Sequence, residues 1–593
     1  MSEYDAPLKD MRFVIRDLAR LDRILEMPDF GHLTVDVVDQ VLEEAARFSR
    51  EVLGKLNVSG DRQGCRVENK TVIVADGFAD AYRQFVDGGW QLVECSPEYD
   101  GMGLPGTVAA ATMEMWQSSN LSFSLCPLLT GGAIVAIDAH ASRELKQQYL
   151  PKMVSGEWTG TMNLSEPQAG SDLAAVKTRA VPEGDHYRLS GTKIFITWGD
   201  QEFSENVVHL VLARTPDAPE GVGGISLFLV PKYLPDANGG AGMRNDVYCA
   251  SIEHKLGIHA SPTCVLNYGD GEGAIGYLVG EENKGLACMF TMMNHARINV
   301  GIQGLAVSER AYQSARAYAR QRIQGRAPGE KGRVTIIHHA DVRRMLLVMK
   351  SLVEAMRATV YSTAASMDVM HHGVDADQRS VANERAALLT PVVKGWFTEV
   401  AQELTSLGVQ VHGGMGFVEE TGAAQYMRDA RILTIYEGTT GIQANDFAGR
   451  KIIADEGNAM NALISEMRAL NDEIAALDGL MDISNALSAG IDDLDAGVKW
   501  LIANAQSDPN APGSSSVNLL MLAGTVVGGW QMARAALAAT RRLTDGNPDS
   551  AFLGAKLMTA RFYAEHILPR ASGYRQAAVS GSDAVMAMPE ALF

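Results

Sequence analysis

The sequence predicts an α+β fold: an N-terminal helical domain, a central antiparallel β domain, a C-terminal four-helix bundle and a helical C-terminal extension. Three observations carry this. Apolar residues recur three and four apart over the first 160 residues and again from Cys288 onward, the period of amphipathic helices. From about Thr161 to Glu282 the chain instead holds short apolar runs bounded by Gly and Pro, as strands and hairpins do. Gly457-Asn458 then breaks the second helical region and sets off a third. The expected domains are 1–160, 161–285, 286–455 and 456–593.

In the first region Val37-Val38, Val41-Leu42 and Ala45-Ala46 mark a helix, and Ser96-Pro97-Glu98-Tyr99-Asp100-Gly101 marks a loop. Gly101-Met102-Gly103-Leu104-Pro105-Gly106 has the spacing of a dinucleotide fingerprint, but it follows no predicted strand and contains Pro, so it reads as a loop. In the β region, residues 187–191 follow the turn Glu183-Gly184-Asp185, and 207–212 and 225–230 are two further strands. Helices are expected over 288–322, 336–370, 378–408 and 440–454, and residues 507–516 are expected to form an exposed loop.

The 593 residues are 46% hydrophobic and 21% charged, which supports a large core and excludes disorder. A net charge of −19 argues against a nucleic-acid partner. Six cysteines (Cys65, Cys95, Cys126, Cys249, Cys264 and Cys288) form no Cys-x-x-Cys pair, so reduced thiols and a cytoplasmic location are expected. The first five residues lack the basic and apolar stretches of a signal peptide, and no run of about 18 apolar residues suggests an integral membrane segment. His338-His339 and His371-His372 are adjacent pairs rather than helix-spaced ligands, so no metal is expected.

Three motifs carry chemistry. Asn163-Leu164-Ser165-Glu166-Pro167-Gln168-Ala169-Gly170-Ser171-Asp172-Leu173 opens the β region with small and hydroxylated residues that let backbone approach a planar polar ligand. Lys193-Ile194-Phe195-Ile196-Thr197-Trp198-Gly199 follows a strand later. Near the end of the bundle stand Gln410-Val411-His412-Gly413-Gly414, Arg428-Asp429 and Ile435-Tyr436-Glu437-Gly438-Thr439-Thr440. A carboxylate between Tyr and Gly-Thr on loop backbone can be desolvated and so act as a stronger base toward a weakly acidic C–H.

In this order the motifs resemble the acyl-CoA dehydrogenase family over roughly residues 30–455, and both termini resemble its larger bacterial branch, which includes 3-methylmercaptopropionyl-CoA dehydrogenases. The resemblance implies FAD as cofactor, with Met162, Leu164, Ser165, Gly170, Ser171, Phe195, Thr197 and Thr439 contacting it. Phe195 stands where the family usually has Trp, and a buried hairpin strand would show the same alternation, so core packing and flavin contact both remain open for it. Gln410, Gly413, Gly414 and Arg322 match the groups that hold the FAD of a partner subunit, which implies a homodimer; Arg322 also reads as a solvated charge at a helix end. Ser171, Asn294, Arg297, Tyr436 and Gly438 are implied at the substrate, although a helix-surface ion pair would equally account for Arg297. Arg428-Asp429 reads as a structural ion pair.

By the same resemblance Glu437 is the catalytic base. It removes the α-proton of an acyl-CoA while the β-hydride passes to the flavin, giving a trans-2-enoyl-CoA, and an electron-transferring flavoprotein takes the electrons. The substrate is 3-methylmercaptopropionyl-CoA or a fatty acyl-CoA. Three alternatives stand beside this: an acyl-CoA oxidase using oxygen, a flavin-binding DNA-associated protein, and a scaffold of the same fold.

Overall fold

The computed structural model describes residues 4–593. The chain divides into two compact units, one of residues up to Ala46 with Pro105–Ser118 and Val300–Phe593, the other of Arg47–Leu104 with Ser119–Asn299.

The second unit is built on strands. After a small hairpin of β1 (Arg66–Glu68) and β2 (Thr71–Ile73), which the helical reading of the first 160 residues missed, come β3 (Trp158–Asn163), β4 (Arg179–Glu183), β5 (His186–Thr197), β6 (Asn206–Ala213) and β7 (Ser226–Pro231). A short ribbon of β8 (Tyr233–Pro235) and β9 (Ala241–Arg244) precedes β10 (Val247–Ile252), β11 (Thr263–Tyr268) and β12 (Ala274–Val279). The main sheet runs β10-β11-β5-β12-β7-β6-β3, with β4 on β5. Its pairings are antiparallel except β3–β6, which is parallel because the excursion through β4 and β5 returns the chain in its original direction. Leu189, Val211, Phe228, Val230 and Leu266 are buried in its core.

In the same unit helix α1 (Leu121–His140) covers β3; Gly160 of β3 donates its N–H to Thr130 Oγ1 at 3.1 Å. α1 has a mean hydropathy of 1.6 over an 18-residue window, which is long and apolar enough to cross a membrane, contrary to the expectation from the sequence. Of that window 89% is buried in the fold, so its apolarity is that of a core helix.

The first unit is helical. α2 (Gly285–Gln321), which belongs to this unit from Val300 on, α3 (Ala340–His372) and α4 (Ala376–His412) match three of the expected helices to within four residues at each end. The expected 440–454 helix is a short α-helix, Thr440–Asn445, continuing as a π-helix, Asp446–Ile453. The extension adds Asn458–Ala475, Met481–Asn504, α5 (Ala511–Thr544), Ser550–His566 and Arg570–Ala578. The loop expected over 507–516 is therefore shorter: α5 starts at Ala511 with Pro512 in its first turn, where a missing N–H costs nothing, and Ser515 and Ser516 are buried.

A cluster of buried charge holds this unit together. The Arg357 guanidinium of α3 pairs with Asp10 (2.6 Å), Glu114 (2.5 Å) and Glu309 (2.8 Å), and Tyr361 donates to Glu114 at 2.6 Å. Lys556, from the extension, pairs with Asp10 and with Glu354 (3.2 Å), which also accepts from Thr559.

Candidate functional site

Tyr436, Glu437 and Gly438 lie between a 3₁₀ turn ending at Thr434 and the helix Thr440–Asn445. Thr439 caps that helix, its Oγ1 accepting from Ile442 N at 3.2 Å, so its hydroxyl is committed to ending the loop. Glu437 adopts φ +54° and Gly438 φ +91°. Left-handed backbone at a glutamate is disfavoured by roughly 1–3 kcal/mol and persists only where the surroundings hold it. Three contacts hold it here. The Lys394 ammonium of α4, fully buried, donates to the carbonyls of Leu433 (2.9 Å) and Gly438. Gln443 Nε2 donates to the Glu437 carbonyl at 3.3 Å. The Tyr436 hydroxyl donates to Gln303 of α2, and burial, reinforced by the charge of Glu437, raises the phenol well above its ordinary value. The φ of +91° favours glycine at residue 438, and a Cβ there would also push the Gln443 amide, 2.5 Å away, out of its bond to the loop. Sequence alone assigns no role to Gln443, although it closes the stretch that begins at Ile435, and does not single out Lys394.

In the β-rich unit, Met162 and Leu164 are half-buried at the end of β3, and Ser165 joins β5 through Ile194 N–H donating to its carbonyl at 3.0 Å. That bond places Ser165 beside Phe195 and Thr197. Phe195 has φ +59° and is 61% exposed, which removes it from the core. Trp198 is the buried aromatic of the segment, its indole N–H donating to Ser122 O at 3.0 Å. Gly170 and Ser171 are exposed, and a Cβ at Gly170 would meet nothing within 4 Å.

Behind this loop a buried pair, missed in the sequence although both residues sit in the quoted motifs, acts as a brace. Lys193 pairs with Glu166 at 2.8 Å and donates to Leu164 O at 3.0 Å. Glu166 also accepts from Thr178 Oγ1 and from the N–H groups of Lys177 and Thr178. Burial raises the Glu166 carboxyl, but the ammonium and these donors outweigh it and bring it down to about 2. Burial brings Lys193 down to about 8 against the pull of Glu166. The pair is ionised at neutral pH, because the carboxylate accepts from these three donors and from Gln168 Nε2 as well as pairing with the cation.

Of the remaining expected residues, Asn294 is exposed on α2, while Arg297 is buried and stacks over the Phe290 ring at 5.9 Å. Arg322 lies just beyond the end of α2, exposed, and reaches Gln324 Oε1 at 3.3 Å. Gln410, Gly413 and Gly414 are exposed at the end of α4, with open space where a Cβ would stand at both glycines. Arg428 pairs with Glu419 at 3.0 Å, and Asp429 accepts from Gln425.

In the second unit an exposed aromatic stands near the end of β5 with a braced loop of small residues beside it, an arrangement open to a planar ligand; in the first unit the loop after α4 carries two uncrowded glycines. Models of the acyl-CoA dehydrogenase N-terminal domain match residues 38–157, of its middle domain 161–270 and of its C-terminal domain 283–452. The chain belongs to the acyl-CoA dehydrogenase family. It is accordingly an oxidoreductase. A fourth model, acetyl-CoA dehydrogenase C-terminal like, matches 460–589.

Among curated members of the family, the 3-methylmercaptopropionyl-CoA dehydrogenase of Ruegeria pomeroyi is 47% identical over 98% of this chain and 99% of its own. The broad-specificity linear acyl-CoA dehydrogenase FadE5 of Mycobacterium tuberculosis is 34% identical over the whole of both. The fold matches that of Caenorhabditis elegans ACDH-11 in complex with C11-CoA (TM-score 0.78, 21% identity, 96% of this chain and 93% of that one). It also matches a Bacillus anthracis acyl-CoA dehydrogenase complexed with FAD (TM-score 0.72, 21% identity, the same coverage).

Proposed function

We propose that the chain is an FAD-dependent dehydrogenase of a short acyl-CoA, converting a thioester of the 3-methylmercaptopropionyl-CoA type to its trans-2-enoyl product with Glu437 as base. The observation that carries this is the Glu437 loop: a carboxylate on disfavoured backbone, fixed from beneath by a buried lysine and a glutamine amide. Similarity along the full length to the Ruegeria pomeroyi enzyme supports the substrate class.

FAD, when bound, supplies the acceptor for the hydride that leaves the β-carbon. The protein's part is alignment and proton removal. Glu437 takes the α-proton onto its carboxylate, and its backbone N–H is the proposed donor to the thioester oxygen, where enolate-like charge develops. Lys394 keeps that N–H and the carboxylate in register by pinning the carbonyls on both sides. Met162, Leu164, Ser165, Thr197 and Phe195 are the proposed flavin contacts, with Gly170 and Ser171 at its polar end. Gln410, Gly413, Gly414 and Arg322 are proposed to meet the FAD of a second copy, and the exposed Met415 and Phe417 beside them give that copy apolar surface to cover. Electrons then leave to an electron-transferring flavoprotein.

Anaerobic addition of acyl-CoAs to the purified flavoprotein tests this. Bleaching of the oxidised flavin band by a short acyl-CoA, lost in Glu437→Gln, is the expected result. A bound flavin that no acyl-CoA reduces would overturn the proposal.

A further inference from the structure

The C-terminal extension meets the rest of the helical unit along one face of α5. Ser516, Leu520, Gly524 and Gly528 stand four residues apart there, which puts them in a row. A Cβ at Gly524 would collide with the Trp396 side chain of α4, and one at Gly528 would meet Trp396 Cη2 at 2.9 Å. The indole therefore lies directly on the α5 backbone.

The residue before that indole is Gly395, which itself follows Lys394. A Cβ at Gly395 would stand 2.5 Å from Leu520 Cδ2 and 3.3 Å from Gln443 Cβ. The tip of Leu520 and the stem of Gln443 thus share the gap over Gly395, and both side chains are buried. One turn back along α5, Ser516 Oγ donates to Asn445 Oδ1 at 3.2 Å, at the end of the helix Thr440–Asn445. Gln443 is the residue whose Nε2 donates to the Glu437 carbonyl, at 3.3 Å. Its Oε1 is buried without a hydrogen-bond partner among the described residues. A glutamine side chain has several rotamers to lose, and one long hydrogen bond is a weak reason to lose them. Packing must supply the rest, and Leu520 supplies it from the extension.

We propose that the extension completes the catalytic loop: Leu520, set over Gly395, is a positioning residue that fixes the Gln443 amide and through it the Glu437 carbonyl, while Ser516 holds the far end of the same helix. This rests on the reading of Glu437 as the base. Without the Leu520 methyls a cavity opens into which Gln443 can turn. The left-handed backbone of Glu437 then loses one of its supports, and the carboxylate and backbone N–H fall out of alignment with the reacting carbons. Leu520 is buried and reaches the loop through Gln443, so its removal acts on the rate of reaction and leaves acyl-CoA affinity as it was.

The test compares Leu520→Ala, Gln443→Leu, the double variant and, as a control, Leu553→Ala, a buried leucine of the helix Ser550–His566, which packs on α3 and α5. Two quantities are read on the FAD-loaded protein: kcat and KM for 3-methylmercaptopropionyl-CoA, and hydrogen exchange of the amides from Ile435 to Gln443 without substrate. Leu520→Ala should lower kcat by about tenfold or more, keep KM within about twofold and speed exchange in the loop. The double variant should lose no more than the larger single loss, because both residues act through one amide. Leu553→Ala should lower Tm comparably, yet leave kcat within about twofold and loop exchange as in the wild type. If Leu520→Ala does not retain flavin, Leu520→Val, which removes less volume, takes its place. Unchanged kcat or unchanged loop exchange at position 520, a double loss equal to the product of the single losses, or an equal kcat loss in Leu553→Ala would overturn the inference and leave the dehydrogenase intact. A wild-type flavin that no acyl-CoA bleaches removes the dehydrogenase reading instead, and loop exchange then decides the role of Leu520 alone.

Discussion

The chemistry turns on one loop glutamate and the lysine beneath it. Replacing Glu437 by Gln keeps the shape and removes the base, so flavin reduction by acyl-CoA should fall about 10²–10⁴-fold with little change in flavin binding, measured by stopped-flow bleaching. Lys394→Met leaves the carbonyls of Leu433 and Gly438 without their donor, and a loop displaced by about an ångström costs on the order of 10² in rate. Because the carboxylate is still present, the loss should appear in kcat far more than in KM. Glu437 was legible because its neighbours form an unusual string. Lys394 was not: a lysine in a helical stretch reads as surface, and nothing local says it reaches a carbonyl 44 residues further on. Phe195 was legible as a position but not as a surface, since alternation along a strand does not reveal that φ turns positive and swings the ring out of the core.

At the scale of elements, the β domain depends on buried polar pairs that span strands and loops. Glu166→Gln strands the Lys193 ammonium with no exposed surface, and uncompensated burial of that kind costs about 3–5 kcal/mol; calorimetry should show a lower Tm, and spectroscopy a lower flavin content. His209 of β6 is buried against Thr161 at 2.7 Å, and burial, aided by the nearby Lys232 and Arg244 charges, brings it down from 6.5 to about 3. The unfolded chain then binds a proton that the folded chain refuses, so this residue's contribution to stability is lost as pH falls from about 6.5 toward 3. Urea unfolding across that window should show the slope, and His209→Gln should flatten it. Strand positions were readable because apolar runs between Gly and Pro are local signals. The parallel β3–β6 pairing was not, since direction depends on where the intervening chain travels. The start of α5 was misplaced because Pro and Gly punctuate a sequence equally whether they end a helix or open one.

Across the whole chain, the fold class followed from two changes of hydrophobic period and one break in a helical pattern, which survive any error at a boundary. The charge cluster around Arg357 followed from none of them, because Asp10, Glu114 and Lys556 lie far from it in sequence and each member resembles an ordinary helix-face charge. Lys556→Met, which removes the extension's ammonium from Asp10 and Glu354, should destabilise the protein by about 3 kcal/mol or more in denaturant titration. Truncating this helical appendage would remove one cation from the cluster and leave Asp10 to Arg357 and Glu354 to Lys350, so the same buried carboxylates would share less positive charge. A chain ending before this segment is therefore expected to be more stable when Asp10 or Glu354 is also made neutral, which denaturant titration of the paired variants would show.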